Sequence, residues 1–197
     1  MQMAEIELKF PVNDVAALQS QLPGLGFSLV TPRRFESNML YDSPEHRLRD
    51  SHQILRLRQY GELWTVTHKR HPDDEDPAEV DVHYKVRIET ETAVSDGPAL
   101  AEIFARLGYT PMFRYDKYRT EWSQGDAHLV VDETAIGTFA EVEGSIAWID
   151  ETLSRLGIDP AVCLTESYGK LFLAWKERTR SPAENLTWDE IPIAVGV

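Results

Sequence analysis

The sequence predicts an α+β fold built mainly of antiparallel sheet, with one sheet face strongly charged and the other packed against helices. Three observations point there. First, the chain repeats a phrase: two glutamates one residue apart, a helix-like stretch, then Leu-Gly before an apolar residue. Glu5-Ile6-Glu7 runs on to Leu25-Gly26-Phe27, Glu89-Thr90-Glu91 to Leu107-Gly108-Tyr109, and Glu141-Val142-Glu143 to Leu156-Gly157-Ile158. Second, segment after segment alternates charged and apolar residues, the period of a strand whose neighbouring side chains point to opposite faces. Third, basic pairs keep that same two-residue spacing, so charges of both signs gather on one surface.

The elements follow in order. Residues 3–10 alternate, with Met3, Glu5, Glu7 and Lys9 on one side and Ile6, Leu8 and Phe10 on the other, and read as a strand that Pro11 ends. Asn13 or Asp14 caps a helix to about Leu22, where Pro23-Gly24 breaks it. Residues 27–30 and 35–41 read as two extended pieces, and Ser43-Pro44-Glu45 as the start of a short helical turn. Residues 54–60 and 63–70 form a hairpin around Gly61-Glu62. The acid-rich stretch 71–81, with two prolines, reads as a solvated loop inserted between strands. Residues 82–94 make a long strand. Leu100, Ile103, Phe104 and Leu107 have helical spacing within 97–107. Strands at 113–122 and 128–132 join at Gln124-Gly125-Asp126, and 138–143 adds another. Helices are expected at 148–156 and 166–177, with an irregular tail from Arg178. The first two repeats each read strand, helix, Leu-Gly-aromatic, strand, which suggests two related halves of one domain.

Composition narrows the functional classes. The 197 residues are 42% hydrophobic and 27% charged, ordinary for a soluble globular chain, and carry a net charge of −13. That balance argues against nucleic acid or an anionic membrane as partner, since phosphate backbones and lipid headgroups are met by clustered Lys and Arg. A small polyanion remains compatible if the basic residues concentrate locally, and the carboxylate excess leaves room for divalent cations. Cys163 is the only cysteine and stands in an apolar stretch, so an inert thiol and a reducing, cytoplasmic setting are expected. The N-terminal residues lack a basic and apolar leader pattern, and no apolar run reaches membrane-spanning length. The histidines at 46, 52, 68, 71, 83 and 128 have no zinc spacing. No serine stands in a nucleophile-elbow context, and the tryptophans read as packing residues.

The charged face carries the functional signal. Arg56 and Arg58 share a face, with Leu55 and Leu57 opposite. Lys85, Arg87, Glu89 and Glu91 line up, as do Tyr115, Lys117, Arg119 and Glu121, while Thr65, Thr67 and Lys69 continue the pattern. Any one such strand fits a wet sheet face with cross-strand ion pairs. For the set as a whole that reading is the weaker one, because like charges placed side by side cost energy until a counter-ion neutralises them. Paired carboxylates suit a hard cation, and paired basic groups suit phosphate. One geometry uses both: the sheet curls so that its charged face turns inward and its apolar face meets outer helices. The lumen then has a basic wall for an oligophosphate and an acidic wall for metal.

These motifs resemble the CYTH family, the triphosphate tunnel enzymes, which include class IV adenylyl cyclases, thiamine triphosphatases and inorganic tripolyphosphatases. The family's N-terminal Glu-x-Glu-x-Lys is matched by Glu5-Ile6-Glu7-Leu8-Lys9, its Arg-x-Arg by Arg56-Leu57-Arg58, and its lysine strand by Thr67-His68-Lys69. Its Arg-x-Glu-x-Glu resembles Arg87-Ile88-Glu89-Thr90-Glu91 and its Lys-x-Arg resembles Lys117-Tyr118-Arg119. Its late Asp, then Gly and Glu-x-Glu, resemble Asp132, Gly137 and Glu141-Val142-Glu143. The resemblance covers roughly residues 4–175 in the family order and is carried by the ordered set rather than by any single motif. It implies an eight-stranded antiparallel β tunnel over residues 1–175, with 176–197 as a C-terminal tail.

The resemblance also implies roles. Glu5, Glu7 and Lys9 would be the catalytic strand start. Lys9, Arg56, Arg58, Lys69, Arg87, Lys117, Arg119 and, on a closing C-terminal helix, Lys170 would bind the phosphates. Glu5, Glu7, Asp132, Glu141 and Glu143 would hold one or two Mg²⁺ or Mn²⁺ ions. Glu89 and Glu91 are left between a metal role and an ion-pair role. The partner implied is a small-molecule triphosphate, and a homodimer is left open.

Two reactions share such a pocket. Water can attack the terminal phosphorus, or a ribose 3′-hydroxyl can attack the α-phosphorus and release pyrophosphate. The strings at 67–69 and 87–91 resemble the class IV cyclase-like branch, yet no adenine site is evident in the sequence, and hydrolysis is the chemically less demanding reaction. A non-catalytic nucleotide or polyphosphate sensor is the alternative from another class. Its retained metal-type acids argue against it.

Overall fold

The computed structural model describes residues 2–72 and 84–192. Eight strands close into a barrel: β1 (Gln2–Pro11), β2 (Ser28–Asp42), β3 (Ile54–Tyr60), β4 (Leu63–Arg70), β5 (Lys85–Val94), β6 (Thr110–Gln124), β7 (Ala127–Thr134) and β8 (Gly137–Glu143). Their order around the barrel is β1-β5-β4-β3-β2-β6-β7-β8, and every pairing is antiparallel. The expected antiparallel tunnel with flanking helices is therefore the fold. Closure removes both sheet edges and turns one parity of every strand inward.

The register makes the inner surface legible. Glu5 stands opposite Arg87 and Glu7 opposite Lys85 across β1 and β5. On the other side of β1, Glu7 faces Glu143 and Lys9 faces Glu141. The opposite parity is apolar. Leu8 and Phe10 of β1 look outward and are buried with Leu129, Val131 and Val142 under two helices, α1 (Val15–Gln21) and α4 (Ile146–Leu156). Each fully buried Leu or Phe contributes about 1.5–3 kcal/mol. Asp14 caps α1 by accepting from the Ala17 amide at 2.9 Å, and Ser145 caps α4 through the Trp148 amide.

A third helix, α3 (Gly97–Arg106), covers β2, β3 and β4, with Phe104 packed on Tyr41 and Leu57. Its first residue has to be glycine, because a Cβ there would lie 2.1 Å from the Trp64 ring. A short helix, α2 (Arg47–Asp50), follows β2 slightly later than the sequence suggested. The Asp42 carboxylate sets its start by accepting from the backbone amides of Ser43, Leu48 and Arg49.

Three local readings change. β2 is one strand of 15 residues rather than two pieces, with register shifts against β6 at Leu29/Thr31 and Thr31/Arg34. Pro32, which has no amide to donate, lies between those shifts, so the strand bends and continues. The last helix, α5 (Tyr168–Thr179), runs slightly past Glu177. The tail beyond it is irregular as expected but docked. Leu186 exchanges backbone bonds with Arg114 and Asp116 of β6, and Ala183, Leu186 and Ile191 are buried beside α5. Of the expected acidic loop, residues 73–81 lie outside the described residues, as do Val82 and His83 of the strand expected after it.

α5 and the tail close one end of the barrel. Tyr168 and Phe172 pack on Leu40, Phe113, Tyr115 and Phe139, side chains of inward parity from β2, β6 and β8. The lumen is therefore apolar where the helix seals it and charged elsewhere.

Candidate functional site

The charged lumen encloses a cavity of about 430 Å³. From the sequence-expected set, β1 supplies Glu5, Glu7 and Lys9, β3 supplies Arg56 and Arg58, and β4 supplies Lys69. Glu89 and Glu91 come from β5, Lys117 and Arg119 from β6, and Glu141 and Glu143 from β8. All of these line the same cavity. Arg87, Asp132 and Lys170 are placed differently.

Most of the cations are held by carboxylates. Lys69 bridges Glu5 and Glu89, each at 2.7 Å. Arg56 donates to Glu91 at 3.3 Å and to Thr67 Oγ1 at 3.0 Å, and Arg58 donates to Glu91 and Thr65 Oγ1, both at 3.0 Å. Glu89 and Glu91 therefore act here as ion-pair partners. Lys9 is buried against Glu141 at 3.0 Å and also donates to the Glu166 carbonyl at 3.1 Å. Burial alone would lower the Lys9 pKa, but Glu141 and Glu7 more than offset it and hold the ammonium charged. Burial likewise works against ionised Glu141, yet Lys9 and Arg119 hold its carboxyl well below the usual range.

Lys117 and Arg119 rest on a hidden acidic layer. Asp132 is fully buried and accepts from Lys117 Nζ at 2.8 Å, from Arg119 Nε at 2.7 Å and Nη2 at 2.6 Å, and from the Tyr168 hydroxyl at 2.8 Å. Both its oxygens are thus engaged by the protein. Glu36 of β2, equally buried, lies 3.3 Å from Lys117 Nζ. Burial raises its pKa, but the charges of Lys117 and Arg119 outweigh that and keep it ionised.

Glu143 is the contrasting group. The residue as a whole is exposed, but its carboxyl faces the Glu5 and Glu7 carboxylates inside the barrel, and no ion pair holds it among the described residues. Burial of that carboxyl, then Glu5 and Glu7, push its pKa up to about 7. Those inward neighbours, rather than the residue's outer surface, set its proton affinity.

This acidic wall bears on metal binding. Among the described residues, no three acid, histidine or cysteine side chains already converge at metal-binding spacing. Glu5 is turned to Lys69 and Glu7 to Lys85. The donors nonetheless fit a hard divalent cation. They are carboxylate oxygens on adjacent strands, and Glu143 is short of positive charge.

Arg87 has inward parity, but its guanidinium donates to the Val86 carbonyl and lies 3.1 Å from His71 Nδ1, beside the cavity rather than in it. The charge of Lys170, on exposed α5 surface, reaches the same histidine and, with burial, Arg87 and His52, lowers its pKa. Cys163 is half-buried, and burial pushes its thiol up, in keeping with an inert residue.

Sequence reasoning gave several contributors no role. Glu36 and Asn38 share inward parity with Leu40, and Asn38 donates to Glu36 at 2.8 Å. Lys85 pairs with Glu7 in the cavity wall, and Tyr115 and Tyr168 line it as a stacked pair 5.8 Å apart. Parity already sets Lys85 and Tyr115 on the charged face, and could have flagged Glu36. Tyr168 lies on a helix whose docking no periodicity announced.

The comparisons agree with this architecture. The family model for the CYTH domain matches residues 3–152. A Methanocaldococcus jannaschii protein, assigned provisionally to the adenylate cyclases, is 27% identical over 150 residues, covering 76% of this chain and 81% of its own. Adenylate cyclase CyaB of Aeromonas hydrophila is 27% identical over 184 residues, covering 85% of this chain and 87% of its own. A solved Hippeastrum structure, described with a dominant triphosphatase activity, superposes with a TM-score of 0.60 at 16% identity, covering 89% of this chain and 96% of that one. With the ordered motifs on one lumen and a family model spanning most of its length, this chain belongs to the CYTH domain family.

Proposed function

We propose that this protein cleaves a phosphoanhydride bond of a small triphosphate held in the barrel, with Mg²⁺ or Mn²⁺. One observation carries the reading. Lys9, Arg56, Arg58, Lys69, Lys85, Lys117 and Arg119 all border a cavity of about 430 Å³. So dense a set of cations suits the several charges of an oligophosphate, and arginine forks can each take two phosphate oxygens.

In this reading the basic side chains grip the chain of phosphates and spread the charge that builds on the leaving oxygen. Arg87 and Lys170 add positive potential from beside the cavity. Glu5, Glu7 and Glu143 are the carboxylates that would hold the cation, with Glu141 nearby but anchored to Lys9 and Arg119. A bound divalent ion supplies charge neutralisation and lowers the pKa of water. Asp132 positions Lys117 and Arg119, since its oxygens already accept four protein donors. A cytoplasmic setting suits the lone cysteine.

Hydrolysis is favoured over cyclisation by what else lines the cavity. Its apolar contributors are Leu40, Ile54, Tyr115 and Tyr168, and the two tyrosine rings stack on each other. That leaves no evident platform for a nucleobase, so inorganic tripolyphosphate, or a triphosphate whose organic part stays outside, fits best. The second reading is an adenylyl cyclase making cyclic AMP and pyrophosphate. It is favoured by the name of the Aeromonas hydrophila relative.

A panel separates the readings: tripolyphosphate, thiamine triphosphate and ATP, each with Mg²⁺, Mn²⁺ or a chelator, scored for orthophosphate, pyrophosphate and cyclic AMP. Orthophosphate that disappears with the chelator is the expected result. Cyclic AMP with pyrophosphate selects the cyclase. Binding without any product selects a sensor, and neither binding nor turnover defeats the proposal.

A further inference from the structure

The segment joining α4 to α5, which lies beyond the residues the family model matches, is tied to Lys9 of β1 by three hydrogen bonds. Lys9 and Leu164 exchange two backbone hydrogen bonds, at 3.1 and 2.7 Å, and Lys9 Nζ donates to the Glu166 carbonyl at 3.1 Å. Two residues on, Tyr168 enters the barrel. Its ring centroid is 4.5 Å from Lys9 Nζ and 5.1 Å from Lys117 Nζ, and its hydroxyl donates to Asp132 at 2.8 Å. Tyr115 and Phe139 fix the ring plane from two further sides, at 5.8 and 5.9 Å.

A helix that merely stoppered the tunnel would need only an apolar plug, which Phe172 supplies one turn along. Tyr168 does something else. Its π face attracts two ammonium groups that would otherwise repel one another, and its hydroxyl steadies the carboxylate that holds Lys117 and Arg119. We propose that Tyr168 is a positioning residue: it presets the lumenal cations Lys9, Lys117 and Arg119 for an oligophosphate, so that α5 is part of the binding machinery rather than a lid. This rests on the triphosphate reading above.

Three variants test it: Tyr168→Phe, which keeps the ring and loses the hydroxyl; Tyr168→Leu, which loses both; and Phe172→Leu, which loosens the same helix and gives up only a ring contact with Lys176 of α5 itself, outside the lumen. Calorimetric binding of tripolyphosphate is measured alongside NMR of the lysine ε-methylenes, where the Tyr168 ring current should shift Lys9 and Lys117. Binding should weaken about threefold in Tyr168→Phe, whose hydroxyl acts only through Asp132 and passes on a fraction of a charged hydrogen bond's strength, and about thirtyfold in Tyr168→Leu, which also loses two cation–π contacts. Phe172→Leu should stay within about twofold despite a lower melting temperature, as expected of lost packing alone. The ring-current shifts should persist in Tyr168→Phe and Phe172→Leu and vanish in Tyr168→Leu.

Equal weakening in Phe172→Leu and Tyr168→Leu would reduce Tyr168 to packing, and unchanged binding in both Tyr168 variants would remove its role outright. A wild-type protein with shifted lysine signals but no oligophosphate binding would overturn the functional reading, and the role with it, while the geometry stood.

Discussion

The two long walls of the lumen handle charge in opposite ways. On the β6–β7 side, Lys117 and Arg119 lie over Asp132 and Glu36, both fully buried, and each cation donates to Asp132. On the β1–β8 side, Glu5, Glu7 and Glu143 crowd together. Two of them borrow lysines from β4 and β5, and the third is left without one. The first wall is finished by the protein itself, whereas the second reaches neutrality only with a proton or an added cation. The difference shows which wall is built to keep its shape and which to take something up.

The finished wall should give the largest effect when broken. Asp132→Asn removes the charge that balances two buried cations, and breaking such a network costs about 3–5 kcal/mol. Urea unfolding should show a loss of that size together with collapse of triphosphate binding. A loss under about 1 kcal/mol would mean that Glu36 and Glu141 suffice, and that the wall is not organised around Asp132.

The unfinished wall should answer to pH and metal instead. The Glu143 pKa is raised from the ordinary 4.5 to about 7 in the folded chain. The native state therefore keeps a proton that the unfolded chain gives up, and stability falls as pH rises from about 4.5 to about 7, then stays at the lower level. Melting temperatures from pH 5 to 8 should decline more in the wild type than in Glu143→Gln. At pH 8, added Mg²⁺ should raise the wild type more than the variant. Parallel curves, with and without metal, would show that the carboxylate crowding has no energetic consequence.

Much of this contrast was legible from two-residue spacing, and the reason is geometric. In a closed barrel one parity faces one environment along every strand, so Glu5-x-Glu7, Arg56-x-Arg58 and Lys117-x-Arg119 disclose the lumen without coordinates. Spacing fails where pairing rather than composition decides. Glu36 and Asn38 lie in the piece read as extended, but they form no like-charged pair, so spacing gave them no signal. Asp132 enters the metal set through the family resemblance alone, and no spacing announces that Lys117, Arg119 and Tyr168 donate to its two oxygens. The docking of Leu186 on β6 rests on backbone bonds to a distant strand, which no local pattern encodes.

Lys170 marks the low end of the scale and sharpens the contrast between walls and surroundings. It is exposed on α5, outside the cavity lining, and its charge reaches the His71–Arg87 cluster without an ion pair among the described residues. A solvent-screened cation of this kind shifts the encounter with an anion more than the bound state. Lys170→Ala should therefore raise KM by about two- to threefold, leave kcat and the melting temperature unchanged, and lose even that effect in high salt. A rise beyond about tenfold that survives salt would show the side chain folding into the barrel over the substrate. The closing helix would then contribute a direct phosphate ligand as well as the positioning residue Tyr168.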